Sequence, residues 1–496
     1  MLALAAVGGF MGNRNTNNQQ TVLFDVNANK NSKKLLDNLS TSQLYEKYKS
    51  VINSTTLFKR SNVSFQANKK LPFYRWFSYK EGFSFDMVSK ILSSLNIESG
   101  YVFDPFAGSG TTLFAARDSG FRSFGIEIMP IGMEIYHARV AIEKIDKNVL
   151  RKYIEKLKEI NFEKAPIDKN FNFTHLRITR GAFPEDNERC LNAFRTYLNT
   201  EIRDPEIKTI FNFIGMCLLE KISYTSKDGQ FLRWDKTAGK GRSNYIKSDI
   251  FTFDAALNRL LKEIMNDLSG LNMYSQQKKP EAKLQNSNTF ETLPKMPNDM
   301  FDVIISSPPY CNRYDYTRTY ALELAYLGID EVALKNLRQN MLSSTVESKG
   351  RVKELEFMYS KKYGTHELSK IENAFYSNTL LSEILKKLEF YKNNKQLNNP
   401  GIYRMVFNYF YEHAFIIYEM QRILKKGGHI YYVNDNVRYA GEEIPVDLIL
   451  SEFAENLGLK TSDIFVLSEK KGNSSQQMAR HGKVDLRKCV YHWVKI

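Results

Sequence analysis

The stretch GYVFDPFAGSGTTLFAARDSGFRSFGIEI, residues 100–128, leaves this chain little choice of architecture. Tyr101-Val102-Phe103 is a short apolar run of strand-forming residues. The AGSG that follows forbids regular structure and permits close backbone approach. TTLFAARDSG then has helical character, with its amino end at the glycine loop and Gly120 past its carboxyl end. SFGIEI reads as a second strand, ending near Glu127. Strand, loop, helix and strand in this order make a β-α-β unit with a parallel pair. The expected fold class is therefore α/β.

The alternation continues downstream. AKLQNS (282–287) and FDVIISSPPY (301–310) read as strands, the second stopping at two prolines. A helix is expected over 404–428, ended by Gly427-Gly428, then a strand over 429–435 and a helix over 445–458. Strands at 462–469 and 488–496 close the chain. Upstream, residues 36–58 read as helix and lead into an aromatic-rich stretch at 71–84. Two long stretches, 151–280 and 317–400, break the pattern. The organisation expected is an arm (1–35), three core parts (36–150, 281–316 and 401–496) and two insertions between them. With 496 residues and 43% hydrophobic content, the chain can fill a large core.

Composition narrows the partners. The 70 basic residues against 55 acidic ones give a net charge of +15, which favours polyanions, nucleic acid first. Cys190, Cys217, Cys311 and Cys489 are far apart and form no C-x-x-C pair, which fits a reduced, cytoplasmic setting. The 7 histidines show no H-x-x-x-H spacing, and no metal site is expected. The apolar opening MLALAAVGGFMG lacks a basic lead and is too short to span a bilayer, so no membrane association is expected.

The glycine loop admits three readings. A P-loop requires a lysine that is missing here. A dinucleotide fingerprint requires a third glycine where Leu113 stands. The third is a loop whose backbone closes under the methionine and ribose of S-adenosylmethionine, with Glu127 accepting from the ribose hydroxyls. SSPPY at 306–310 is a stiff loop at the carboxyl end of a strand, where open α/β sheets place their chemistry.

Taken together, DPFAGSGTT and SSPPY make the sequence resemble the DNA amino-methyltransferases. Phe106, Gly108 and Gly110 are similar to their F-x-G-x-G loop; Ser307, Pro308, Pro309 and Tyr310 are similar to their [DNS]-P-P-[YFW] tetrad. The resemblance covers roughly 70–140, 282–330 and 404–496. It implies a Rossmann-like S-adenosylmethionine-dependent methyltransferase sheet carrying two large, partly helical insertions. It implies a cofactor set of Asp104, Phe106, Ala107, Gly108, Gly110, Thr111, Glu127, Asn286 and Phe83. The serine form of the tetrad is associated mostly with N4-cytosine methylation. N6-adenine methylation uses the same geometry and stays open. So do methylation of an RNA exocyclic amine and a non-catalytic nucleic-acid-binding role. Double-stranded DNA is the expected partner, with a cognate restriction endonuclease as a second, in a bacterial or archaeal cytoplasm.

The chemistry explains the tetrad. An exocyclic amine is a poor nucleophile because its lone pair is delocalised into the ring. Ser307 Oγ and the Pro308 carbonyl can accept hydrogen bonds from its two N–H groups, which aims the lone pair at the methyl donor. Tyr310 offers a flat face for a base flipped out of the duplex. Cys311 is displaced from the position of a covalent nucleophile and reads as a passive thiol. Asn312, Arg313 and Tyr316 follow and are candidates to contact the flipped base or its phosphate, with helix capping and surface exposure as the alternative roles. In 231–247, Arg233, Lys236, Lys240, Arg242 and Lys247 interleave with Trp234 and Tyr245, a pattern suited to phosphate contact and stacking. The target-recognition region is therefore expected in an insertion, with 151–280 the candidate.

Overall fold

The computed structural model describes residues 39–496 apart from 56, 81, 229–230, 240–243, 271–278, 468–481 and 483. The strands, in chain order, are β1 (Ile52–Thr55), β2 (Tyr101–Asp104), β3 (Arg122–Glu127), β4 (Thr225–Asp228), β5 (Phe231–Trp234) and β6 (Ala282–Asn286). They continue with β7 (Phe301–Ser306), β8 (Leu424–Asp435), β9 (Val437–Tyr439), β10 (Glu442–Ile444), β11 (Leu459–Leu467) and β12 (Lys488–Lys495). Eight of them build one sheet in the order β1-β11-β12-β8-β7-β2-β3-β6. The run from β8 to β6 is parallel throughout, and β12 is antiparallel to both its neighbours.

This order positions the site. From β2 the chain steps outward to β3 and β6, then returns to β7 and β8 on the other side of β2. The winding reverses between β2 and β7, and ligands of open α/β sheets bind at such a reversal, beyond the strand carboxyl ends. The glycine loop leaves β2 there and SSPPY leaves β7. Val102, Phe103, Val303, Ile304 and Ile305 are fully buried, as strands covered on both faces must be. The intervening helix Thr111–Asp118 ends as the glycines foretell: Gly120 takes φ +91° and the Phe121 N–H donates to the Ala116 carbonyl at 2.9 Å.

Three local expectations need correction. Residues 36–58 are not one helix: helix Leu39–Tyr48 is followed by β1, which begins and ends on the β-branched Ile52 and Thr55 and pairs in parallel with Ile464–Leu467 at the sheet edge. The helix expected over 404–428 runs from Gly401 to Ile423, and the chain is already paired as strand at Leu424. Its register then slips between Phe301/Leu424 and Val303/His429, so Gly427, at φ +75°, sits in a bulge rather than in a helix cap. The β9–β10 hairpin was not foreseen.

The two long stretches pack differently from one another. Helices Lys147–Lys158, Glu185–Thr200, Pro205–Ile222 and Phe253–Gly270 share a hydrophobic cluster with Phe73–Phe77 and Tyr320–Tyr326, and the β4–β5 hairpin packs on helix Pro205–Ile222. Helices Val352–Tyr376 and Thr379–Asn393 instead join helix Gly401–Ile423 against one face of the sheet. Residues 317–400 are thus divided between two clusters. Among the described residues no helix is long and apolar enough to cross a membrane.

Candidate active site

A cleft enclosing about 780 Å³, part of it open to solvent, lies over the carboxyl ends of β2, β3 and β7. Its floor is the glycine loop. Gly108 and Gly110 take φ +54° and +75°, a region that strains residues with a Cβ. At Gly108 a Cβ would also sit 3.0 Å from the Tyr79 hydroxyl, which closes over the loop from the aromatic stretch.

Glu127, the last residue of β3, is buried in the wall. Its two oxygens each accept one backbone N–H, from Gly108 and from Met129, both at 2.6 Å. Burial nevertheless pushes its pKa up to about 7, because two neutral donors do not replace the lost water. Each oxygen keeps further lone-pair capacity for a hydroxyl donor. Asp104, at the end of β2, is also buried and is pushed up to about 6. It accepts from the Phe106 N–H at 3.0 Å, from Thr112 Oγ1 at 2.6 Å and from Ser306 Oγ at 2.6 Å. Asp104 thereby fastens the glycine loop to the last residue of β7.

The tetrad stands at the cleft rim. Ser307 and Pro309 line it; Pro308 and Tyr310 are buried behind. Ser307 Oγ lies 3.0 Å from the Tyr310 hydroxyl and 3.5 Å from the Val433 carbonyl on β8. The Tyr310 ring lies beneath the Lys488 ammonium, 5.8 Å from the ring centre. Cys311 is fully buried, and burial pushes its thiol above the ordinary range, so it stays protonated.

Most of the expected cofactor set meets in this cleft. Phe83, Asp104, Phe106, Ala107, Gly108, Thr111 and Glu127 line it, with Gly110 capping the helix immediately behind. Asn286 does not line it. The Asn286 side chain donates to the Glu127 carbonyl at 3.3 Å on the outer edge strand, and Asn288 occupies the wall instead. Asn288 caps helix Thr289–Thr292 by accepting from the Phe290 N–H at 2.9 Å. The signature Asn288-x-x-Glu291 pointed to this helix start. The sequence reading also missed Tyr79, Phe290 and the segment Asn340–Leu342. Buried Arg351 holds that segment through the Gln339 carbonyl (2.9 Å) and the Met341 carbonyl (2.5 Å). No sequence motif announces such a tie.

The basic set is split. The β4–β5 hairpin packs against helix Tyr316–Thr319, just beyond the tetrad. Arg233 stacks its guanidinium on Tyr245 at 4.2 Å, Lys236 is exposed, and Trp234 packs partly into the helical cluster. Lys247 is turned inward: its ammonium donates to the carbonyls of Ser223 (2.7 Å), Thr225 (3.0 Å) and Glu220, and burial pulls its pKa down to about 8. It clamps the base of the hairpin rather than facing solvent. Lys240 and Arg242 lie outside the described residues. Asn312 turns its side-chain oxygen to the Tyr314 N–H. Arg313 takes φ +66° and reaches Asn398 at 3.4 Å.

A family model described as DNA methylase matches residues 11–137. The chain is 45% identical over 445 residues to the type II methyltransferase M.AvaI of Nostoc sp. and of Anabaena variabilis, covering 88% of this chain and 89% of each relative. It is 40% identical over 470 residues to the type II methyltransferase M.BsoBI of Geobacillus stearothermophilus, covering 91% of both. No solved structure is matched. With a glycine loop and the Ser307 and Pro309 of an S-P-P-Y tetrad facing one cleft at the sheet's reversal, and relatives aligned over nearly its whole length, the chain belongs to the type II DNA amino-methyltransferases.

Proposed function

We propose that this methyltransferase modifies the exocyclic N4 of a cytosine flipped out of double-stranded DNA. The observation that carries the reading is Ser307 at the cleft rim, hydrogen-bonded to Tyr310 and facing the same cleft as Glu127. The donor set fits S-adenosylmethionine: a carboxylate with spare acceptor capacity at Glu127, glycine-loop backbone at Gly108, and an apolar slot of Phe106, Ile128, Phe290 and Leu342 for a heterocycle. When bound there, that cofactor supplies the methyl group from its sulfonium.

The chain's own work is orientation. When Tyr310 donates to Ser307, the Ser307 proton turns toward the Val433 carbonyl, 3.5 Å away. One Ser307 lone pair then remains for an amine N–H at the rim. The Pro308 carbonyl takes the other, and the amine surrenders one proton to water as the new N–C bond forms. Arg313 and Asn312, directly after the tetrad, hold the flipped nucleotide's phosphate. The hairpin beside them, with Arg233 and Lys236, contacts the duplex. A cognate endonuclease fits the type II relatives. Methylation of genomic DNA followed by nucleoside mass spectrometry tests the base: N4-methylcytosine is expected, and N6-methyladenine would overturn the cytosine assignment.

Two further results are expected. Because Glu127 titrates at about 7 before ligand binding, S-adenosylhomocysteine should bind its ionised form. A carboxyl that gains a proton loses acceptor capacity, so affinity falls as pH drops below that value. Calorimetry should find it roughly eightfold weaker at pH 6 than at pH 7.5, and flat above. Glu127→Gln should abolish the pH dependence. At the hairpin, Arg233→Ala and Lys236→Ala should each lower the salt slope of DNA binding by about one. Lys247→Ala should leave that slope unchanged and cost about 1–3 kcal/mol of stability in thermal unfolding, since the carbonyls it holds lose their donor.

A further inference from the structure

The side chain that ties the hairpin to the cleft wall is buried and does not itself line the cleft. Lys227, on β4, is 5% exposed. Its ammonium donates to Glu323 Oε1 at 2.6 Å and lies 3.5 Å from Glu220. The same ammonium stands 4.3 Å from the centre of the Phe77 ring and 5.3 Å from that of Tyr320. Glu323 is 1% exposed and belongs to helix Ala321–Tyr326, which follows the tetrad in the chain. A buried ion pair of this kind is a poor way to gain stability, because desolvation consumes the attraction. Its presence at this place calls for another reason.

The aromatic rings supply it. Tyr320 lies between Phe77 and Tyr79 in a stack, with ring centres 6.5 Å and 5.7 Å apart and planes within 22° and 26°. The Tyr320 hydroxyl accepts the Lys80 N–H at 2.6 Å and donates to the Lys80 carbonyl at 3.3 Å. Tyr79, the last ring of the stack, lines the cleft and closes over Gly108. One cation therefore touches Glu323 and two rings of the stack that forms the wall above the cofactor loop. We propose that Lys227 and Glu323 are positioning residues of the methyl-transfer site, fixing the Tyr320–Tyr79 wall over the glycine loop from the base of the hairpin. The inference rests on the reading of the cleft as the cofactor site.

The test uses the full chain and S-adenosylhomocysteine binding by calorimetry, with DNA affinity and thermal unfolding measured alongside. The paired variant K227M/E323L keeps the volume while removing both charges, and Glu220 keeps the backbone N–H of residue 227, at 3.0 Å, as its donor. It should bind S-adenosylhomocysteine about tenfold more weakly, a loss of some 1.4 kcal/mol. DNA affinity and melting temperature should stay near those of the unaltered protein. A purely structural pair would shift melting and leave the ligand affinity of the folded protein alone; that result overturns the proposal. Tyr79→Leu should reproduce the defect, and combining it with the paired variant should add little. Additive losses would also overturn the proposal. If the paired variant does not fold, Tyr320→Phe decides: it keeps the stack and deletes both contacts to Lys80, so S-adenosylhomocysteine affinity should fall, and unaltered affinity overturns the proposal. Glu127→Ala separates the two readings. If it binds like the unaltered protein, the cofactor reading of the cleft has failed; if it binds weakly while K227M/E323L does not, only the positioning role has.

Discussion

Ser307→Ala is expected to lower kcat by about 10²–10³-fold while leaving the affinities for S-adenosylhomocysteine and for DNA unchanged. The size follows from the loss of one preorganised hydrogen-bond partner aimed at a reacting group, an effect of that order in other enzymes. The selectivity follows from geometry. Ser307 lines the cleft at its rim, outside the Asp104–Ser306–Thr112 fastening that shapes the glycine loop. Its removal leaves Glu127, Gly108 and the apolar slot intact. Tyr310→Phe should cost less, about tenfold, because it removes the hydroxyl bonded to Ser307 and keeps the ring. Single-turnover methyl transfer with both ligands saturating reads the chemical step directly. Unchanged turnover in Ser307→Ala would remove Ser307 from the reaction and leave the Pro308 carbonyl as the amine's acceptor.

The parts of this site that were legible in the sequence are those whose chemistry is local. Gly108, Gly110 and Gly120 stand at positive φ because a strand-to-helix turn and a helix end demand it. Ser307 to Tyr310 leave a fully buried strand because two prolines end pairing. What was not legible is decided by residues far apart in the chain. β1 is a strand because Ile464–Leu467 offers an edge to it, more than 400 positions later. β12 slots antiparallel between β8 and β11, which no run of eight residues can announce. Asn340–Leu342 joins the cleft wall only because Arg351 and Glu412 pin it, with the Arg351 Nε–Glu412 pair at 3.3 Å. Lys247 misled the reading because a basic residue among aromatics looks the same whether its ammonium meets phosphate or three carbonyls of its own chain. Only the fold tells these apart. Lys227 shows the same: it is one of the 70 basic residues behind the net charge, while its contacts place it beneath the cleft wall.

The second large effect is expected at a residue outside both motifs. Gly132 lies in the first turn of helix Pro130–Lys144, where propensity alone would favour alanine by about 1 kcal/mol. The structure reverses that sign. A Cβ on Gly132 would overlap the Gly108 carbonyl oxygen and lie 2.6 Å from Glu127 Cγ. Neither neighbour can yield. Gly108 is held in a turn at positive φ, and its N–H is bonded to the same Glu127 whose other oxygen holds Met129. Relief must come from moving the helix away from the loop or from turning the carboxylate, and either breaks the Gly108–Glu127 contact that shapes the floor of the cleft. Overpacking of this kind costs about 1–3 kcal/mol, so Gly132→Ala should weaken S-adenosylhomocysteine binding by roughly 5- to 150-fold in calorimetry. Melting should fall by only a few degrees in a chain of this length, because the rest of the core is untouched. Full affinity in Gly132→Ala would mean that the loop and Glu127 tolerate separation, and that the cleft floor is not the binding surface.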